Sequence, residues 1–318
     1  MRHEWLQLDK EMNVGIVVDS TCDLPNSIVD RYQVHILPLS VKTKSAHFID
    51  GRHPEESNQF YKSTPVSALS RAEVVDLSKS DIVEQLKNDL IYQYDHLLIL
   101  APHIKLSSTL TSLRAAVQEL QTDLERLRKQ ASIRNAFKVR IIETQTSYAG
   151  YGLVLYEALR LISEKARSVD QLKQPLDHFK GNVETYVLPG HENFNPNYLG
   201  QPPFNISWFS QQKLRFTGTI PVLKVSDVGV QQHRLLKASH AESDFFEMLY
   251  DKITRTTFKN HMVNLSYAGN LSQLRVLPTY NALQEHIKSK GGKLVLSVMS
   301  PTAGVQLGAK TISVAFAG

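Results

Sequence analysis

The sequence predicts an α/β protein: a doubly wound parallel sheet in the first half, then an α/β second half built on a mixed sheet. Three observations carry this. Residues 14–18, 96–101 and 139–142 are apolar runs with little alternation, as expected of parallel strands covered on both faces. Between the last two, Leu110, Leu113, Val117, Leu120, Leu124 and Leu127 step by three and four, the spacing of one helical face. Beyond residue 168, several strand-like runs follow one another with no helix long enough for a parallel crossover.

Taken in order, 14–18 is a strand, 26–31 a helix and 34–41 a second strand. A short helical segment comes next at 53–61, then a helix at 79–92, the strand at 96–101, the long helix, the strand at 139–142 and a helix at 151–164. The second half opens with a helix from Ser168 to about 180 and a strand at 183–188. Residues 190–205 are rich in Asn, Pro and Gly and read as a loop. Further strands lie at 220–225, 230–235, 262–266, 293–299 and 312–317, with helices at 243–254 and 271–286. Two domains are expected, 13–168 and 169–318.

Composition excludes several functions. A net charge of +5 over 318 residues, with no dominant basic block, argues against a nucleic-acid partner. The densest cluster, residues 125–129, reads as a solvated helical face. A single cysteine, Cys22, rules out an internal disulfide and any cysteine-based metal cluster. It reads as a small half-buried filler, with a thiol nucleophile as the alternative. The twelve His show no metal-ligand spacing, so neither metal nor cofactor is expected. The polar amino-terminal stretch and the lack of a long apolar run predict a cytoplasmic protein with no transmembrane segment.

Chemistry gathers where strands end. IVVDSTCDLP, 16–25, sets Asp19, Ser20 and Thr21 at a strand's carboxyl edge, where α/β sheets bind ligands. Thr21 or Asp23 also serves as a helix cap, with Pro25 in the first turn. HIKLSSTLTSLRAA, 103–116, places Ser107, Ser108 and Thr109 ahead of the long helix, a spot that caps the helix and favours an anion. PVSALS, 65–70, adds Ser67 and Ser70. Gly150 and Gly152 of YAGYG fit either close strand–helix packing or phosphate binding. No GxSxG elbow and no Walker A motif occurs.

In this order these motifs resemble the DegV family of bacterial fatty-acid-binding proteins, the lipid-binding component of a two-part fatty acid kinase. VVDSTCDLP matches the family's DST-D-LP opening, and ILPLSV (36–41) and FIDG (48–51) match the family's next two segments. PVSALS stands at the family's TSQPS loop, which puts Ser67 at its ligand-binding Thr. HIKLSSTL stands at SSxLSGT, which puts Ser107 at its carboxylate-binding Ser. IETQTSYAGYGLVLYEA (142–158) resembles its DSxxxSxGxG helix, and IPVLK (220–224) its IKPIL. Two departures stand out: an ungapped placement puts Asn205 and Thr302 where the family has Arg and His. His103 is a basic group the family lacks nearby.

The resemblance implies a non-enzymatic carrier that encloses an acyl chain between two domains. Ser107, Ser67, Ser108, Thr302, Asn205 and His103 would lie at the head group, and Asp19, Ser20 and Thr21 would wall the pocket. It implies a fatty acid ligand and a partner acyl kinase. The alternative is a lipid binder uncoupled from any kinase. A third reading, acyl transfer with Ser107 as nucleophile, lacks a base and orienting partner in the sequence.

Overall fold

The computed structural model describes residues 13–69, 71–164, 168–190 and 217–318. Strands β1 (Val14–Asp19), β2 (His35–Leu37), β6 (His96–Ala101) and β7 (Lys138–Glu143) form an all-parallel sheet in the order β2-β1-β6-β7. The chain leaves β1 towards β2 on one side, whereas β6 leads to β7 on the other. The gap between the carboxyl ends of β1 and β6 is therefore a topological switch point.

Three more strands, β3 (Ser40–Lys42), β4 (His47–Ile49) and β5 (Glu73–Val75), make a small antiparallel sheet in the order β4-β3-β5. The single strand expected over 34–41 is thus two strands in two sheets. Pro38 lies between them and has no N–H to continue the ladder. The chain turns out there, and the Leu39 N–H donates to the Ser20 hydroxyl at 3.2 Å. Helices α1 (Asn26–Arg31), α2 (Pro54–Ser63) and α3 (Val66–Leu69) fill the same region. The helix expected over 79–92 runs as α4 (Lys79–Gln85), a π turn (Leu86–Leu90) and α5 (Ile91–Gln93).

Helix α6 (Thr109–Gln130) buries Leu110, Leu113, Val117 and Leu120 of the expected stripe. Its last turn departs from a solvated face. Arg128 is buried, donating to the Tyr94 carbonyl at 2.8 Å and to Asp95 at 2.7 Å, and so ties the helix end to the chain entering β6.

Next come α7 (Ala149–Glu164) and α8 (Val169–Lys180). The second sheet is mixed, ordered β10-β9-β8-β13-β11-β12. Its strands are β8 (Val183–Leu188), β9 (Thr219–Ser226), β10 (Gly229–Lys237), β11 (Met262–Tyr267), β12 (Lys293–Val298) and β13 (Ile312–Ala317). Only β11 and β12 run parallel; the other neighbours are antiparallel. Helices α9 (Ala241–Thr254), α10 (Ser272–Arg275), α11 (Pro278–Ser289) and α12 (Pro301–Leu307) complete this half. The one helix expected over 271–286 is divided because Pro278 starts a new helix at its first position.

The layers stack as α4 and α6, parallel sheet, α7 and α8, mixed sheet, α9 and α11. Helix α7 is shared: Tyr151, Leu153, Val154 and Leu155 pack in one core with Ile16 and Leu98 of the first sheet and Ala315 and Ala317 of the second. Such closeness explains the two glycines of YAGYG. A Cβ on Gly152 would stand 1.9 Å from the Asp23 carbonyl oxygen, and one on Gly150 would collide with Thr146 and Thr185. Packing, not phosphate binding, accounts for them. Among the described residues no helix is long and apolar enough to cross a membrane.

Candidate functional site

At the switch point the β1–β6 ladder pairs as far as Val17 with Ile99, and beyond it the strands part. The Tyr151 hydroxyl, brought by α7, enters the gap: it accepts from the Asp19 N–H at 3.1 Å and donates to the Leu100 carbonyl at 2.6 Å. Asp19 is fully buried at this edge. Its Oδ1 accepts the Thr21 N–H at 2.9 Å and the Thr21 hydroxyl at 2.5 Å. Its Oδ2 is buried with no hydrogen-bond partner. An unpaired buried polar atom costs about 1–3 kcal/mol, and burial pushes this carboxyl up to about 6 against the opposing bonds from Thr21.

Across the gap, Ser107 is half-buried and its hydroxyl accepts the Thr109 N–H at 3.1 Å. The same hydroxyl shares a 2.8 Å hydrogen bond with the Thr109 hydroxyl. Exposed Ser108 donates to Asp76. Two hydrogen-bonded pairs, Asp19 with Thr21 after β1 and Ser107 with Thr109 after β6, thus stand at the carboxyl edge of one sheet. Ser20 is buried and serves Leu39, and Ser67 is exposed on α3.

His103 is turned away from the hydroxyls. It is buried, its Nδ1 accepts the Lys105 N–H at 3.0 Å, and its Nε2 donates to the Asp227 carbonyl at 3.0 Å in the β9–β10 turn. Glu143 Oε1 stands 3.7 Å from the same Nδ1 and accepts the Ile104 N–H at 2.9 Å. His103 pins the two halves together and offers Ser107 no base. Cys22 is buried, and desolvation pushes its thiol well up, which suits a filler and not a nucleophile.

Beside the hydroxyl cluster lies a second buried polar group that the strand-end motifs do not announce. Asp23 Oδ1 accepts from Arg52 Nη1 and the Ser300 N–H, both at 2.9 Å, and Oδ2 accepts from the Ser266 hydroxyl at 2.7 Å. Arg52 Nη1 also reaches the Val298 carbonyl at 3.1 Å. Thr302 donates its hydroxyl to Asp50 Oδ2 at 2.9 Å, and its N–H does the same at 3.2 Å. Burial raises both carboxyls, Asp23 to about 6, while Arg52 opposes the rise. Arg52 sits at φ 64, a strained conformation for a non-glycine residue, held by these contacts. FIDGR sets an acid, a glycine and a cation in succession, but nothing in those five residues shows that Asp50 and Arg52 are buried against Asp23 and Thr302.

Between cluster and network the side chains of Leu106, Tyr148, Val187, Leu223, Val225, Ala268, Met299, Ala303 and Leu307 pack as a buried apolar cluster drawn from both halves of the chain. It begins at the residue before Ser107 and ends on the helix that carries Thr302. Asn205 lies outside the described residues. Among the described residues no three His, Cys, Asp or Glu side chains gather as a metal site.

The family model described as an uncharacterised protein of the DegV family matches residues 13–191. The chain belongs to the DegV family. A DegV domain-containing protein of Xanthomonas axonopodis pv. citri is 27% identical over 308 residues, covering 96% of this chain and 98% of its own. A Thermotoga maritima protein named as a fatty acid-binding protein is 33% identical over 114 residues, 34% of this chain and 38% of that one. In structure, the chain superposes on a DegV lipid binding protein from Thermotoga maritima with a TM-score of 0.71 at 19% identity, over 96% and 98% of the two chains. A DegV family protein from Thermus thermophilus, described for its fatty acid binding, gives 0.71 at 19%, over 96% and 100%. These superpositions establish the DegV fold for this chain.

Proposed function

We propose that this chain binds a long-chain fatty acid and does no chemistry on it unaided. The observation that carries the reading is the juxtaposition of the Ser107–Thr109 hydroxyls at the switch point with the buried apolar cluster that starts at Leu106. Each methylene removed from water contributes about 0.8 kcal/mol, so the tail supplies affinity and the hydroxyls only orient the head. The fatty acid-binding names of its relatives support the same reading. In this proposal Ser107, with Ser108 and Ser67 at the rim, holds the carboxylate and presents it to a partner acyl kinase.

A second reading, a binder uncoupled from any kinase, draws on Thr302. At the position of the family's His stands a fully buried hydroxyl committed to Asp50. Phosphoryl transfer develops negative charge that a cation stabilises and a threonine does not. Organic extraction and mass spectrometry of the purified protein test the common core of both readings. A near-stoichiometric acyl species is expected. A protein that carries none, and takes up no fluorescent fatty acid after delipidation, refutes both.

A further inference from the structure

A cavity of about 430 Å³ lies where α1 and α7 of the first half meet the amino ends of β11 and β12 in the second. Ser266 and Val298, which bond Asp23 and Arg52, stand near the carboxyl ends of the same two parallel strands. The cavity and the Asp23–Arg52 network therefore occupy opposite ends of one strand pair. Its volume lies within the range of small-ligand pockets, and a domain junction is a common place for them.

The wall has two chemistries. Ile28, Tyr32, Tyr156 and Val295 give it an apolar and aromatic side. Arg31, His261 and Lys293 give it a basic side, and no carboxylate lines it among the described residues. Arg31 ends α1, where a cation suits the helix terminus on its own account. Lys293 begins β12 and His261 immediately precedes β11, so no helix end of their own accounts for them. Both are exposed, and the ladder sets them side by side: the Lys293 N–H donates to the His261 carbonyl at 2.6 Å.

The surroundings leave this basic side to a ligand. Glu157, next to Tyr156 in α7, accepts from Arg160 at 2.6 and 2.9 Å and from the Asn260 amide at 2.9 Å. Asn260 accepts the Met262 N–H at 2.9 Å, which fixes the chain on both sides of His261. The Arg31 guanidinium lies 5.8 Å from the centre of the Tyr32 ring, so a cation is held against the aromatic side. Burial raises the pKa of the Tyr156 phenol, whose hydroxyl stays a donor. Gly291, at φ 75, adds a stretch of wall without a side chain beside Lys293; a Cβ there would meet nothing within 4 Å.

We propose that this cavity is a second ligand site, which takes a phosphate monoester carrying a planar aromatic body. The phosphate lies against Arg31, His261 and Lys293, and the aromatic body against Ile28, Tyr32 and Tyr156. A phosphate dianion presents three acceptor oxygens, which matches three separate donors better than a carboxylate does. A flat ring with a π-face suits a wall that carries two tyrosines. The site does not depend on the fatty acid reading, because none of its residues belongs to the Ser107 edge.

Isothermal titration calorimetry of the whole protein with AMP tests the proposal, with adenosine and inorganic phosphate as comparison ligands. AMP should bind at least about tenfold more tightly than either, since each of those engages one side of the cavity only. Arg31→Gln and Lys293→Met keep most of the side chain and remove the charge. Each should weaken AMP about tenfold or more while changing adenosine by less than about threefold. Because the ligand would touch both halves, saturating AMP should also raise the wild-type Tm.

AMP binding no tighter than that of inorganic phosphate overturns the proposal, as does an AMP affinity equal in wild type and both charge variants. If one variant fails to fold, the other decides, since the two lie on different elements. Cis-parinaric acid that displaces AMP and loses affinity in the same variants would make the cavity an acyl-anion site, and the phosphate proposal would fall. Failure of fatty acid binding with AMP binding intact overturns only the reading of the Ser107 edge.

Discussion

Replacing Gly152 by alanine should loosen the contact on which both halves of the molecule depend. Ala is the better helix former by about 1 kcal/mol, so an exposed helix would gain stability. Here the new Cβ would stand 1.9 Å from the Asp23 carbonyl oxygen and 2.7 Å from Asn264 Nδ2. Ordinary contact near 3.4 Å would require α7 to retreat by about 1.5 Å. Neither obstacle can swing aside. Asp23 O is backbone, and Asn264 Nδ2 is fixed by donating to Asp23 O at 2.6 Å and Ala149 O at 2.8 Å. A retreat of that size breaks at least one of these buried bonds, about 1–3 kcal/mol each, and adds overpacking strain of about 1–3 kcal/mol. After the helix gain, a net loss of about 3 kcal/mol is expected. Urea denaturation followed by circular dichroism measures it, with Gly181→Ala as the comparison, since its Cβ would meet nothing closer than 3.6 Å. A Gly152→Ala protein as stable as wild type would refute the close-packing argument for YAGYG.

Ser107→Ala should cost about 1 kcal/mol of stability, through the lost acceptor for the Thr109 N–H, and also weaken fatty acid binding about tenfold or more. A melting curve and a Kd on the same protein separate the two effects. Arg52→Met removes the cation that faces Asp23 and should destabilise by about 3–5 kcal/mol near pH 7.5. The loss should be smaller near pH 5, where Asp23 takes up a proton; equal losses at both pH values would count against this. In the wild type, Asp19 and Asp23 bind protons more tightly folded than unfolded. Their contribution is thus fully present below about pH 4 and lost as pH rises through about 6, so a titration of Tm should fall across that window. Phosphoryl transfer from a family kinase to the bound acid should be slow for wild type and faster for Asn205→Arg/Thr302→His, because the Thr302 hydroxyl, buried against Asp50, carries no positive charge. His103→Ala should lower Tm and leave transfer unchanged, because the ring contacts Asp227 and Lys105.

The layered fold was legible because its signals are local. Apolar runs mark β1, β6 and β13, and the three-and-four spacing of Leu110 to Leu120 marks α6. Prolines were legible as residues but not in their effect: whether Pro38 bends a strand or ends it depends on which sheet waits beyond. The cluster around Ser107 could be read from two strand-end motifs, since both lie at the same edge of one sheet. The Asp23–Arg52–Asp50 network could not. Arg52 and Val298 are far apart in sequence, and only the approach of the second half makes a buried guanidinium tolerable. His103 shows the same limit. Its neighbours in sequence suggest a head-group base, whereas its nearest acceptor belongs to a turn more than a hundred residues later.

The position of β13 has a consequence for how the chain is made. It is the last of its sheet's six strands to be synthesised, yet it lies between β8 and β11 and supplies the ladder that joins them. Until it emerges, β8–β10 form one unfinished ribbon and β11–β12 another, each with an open edge that can pair with any neighbouring chain. The second half is therefore committed to closing late in translation, and substitutions within residues 312–317 should reduce the yield of soluble protein more than equally buried changes in β1.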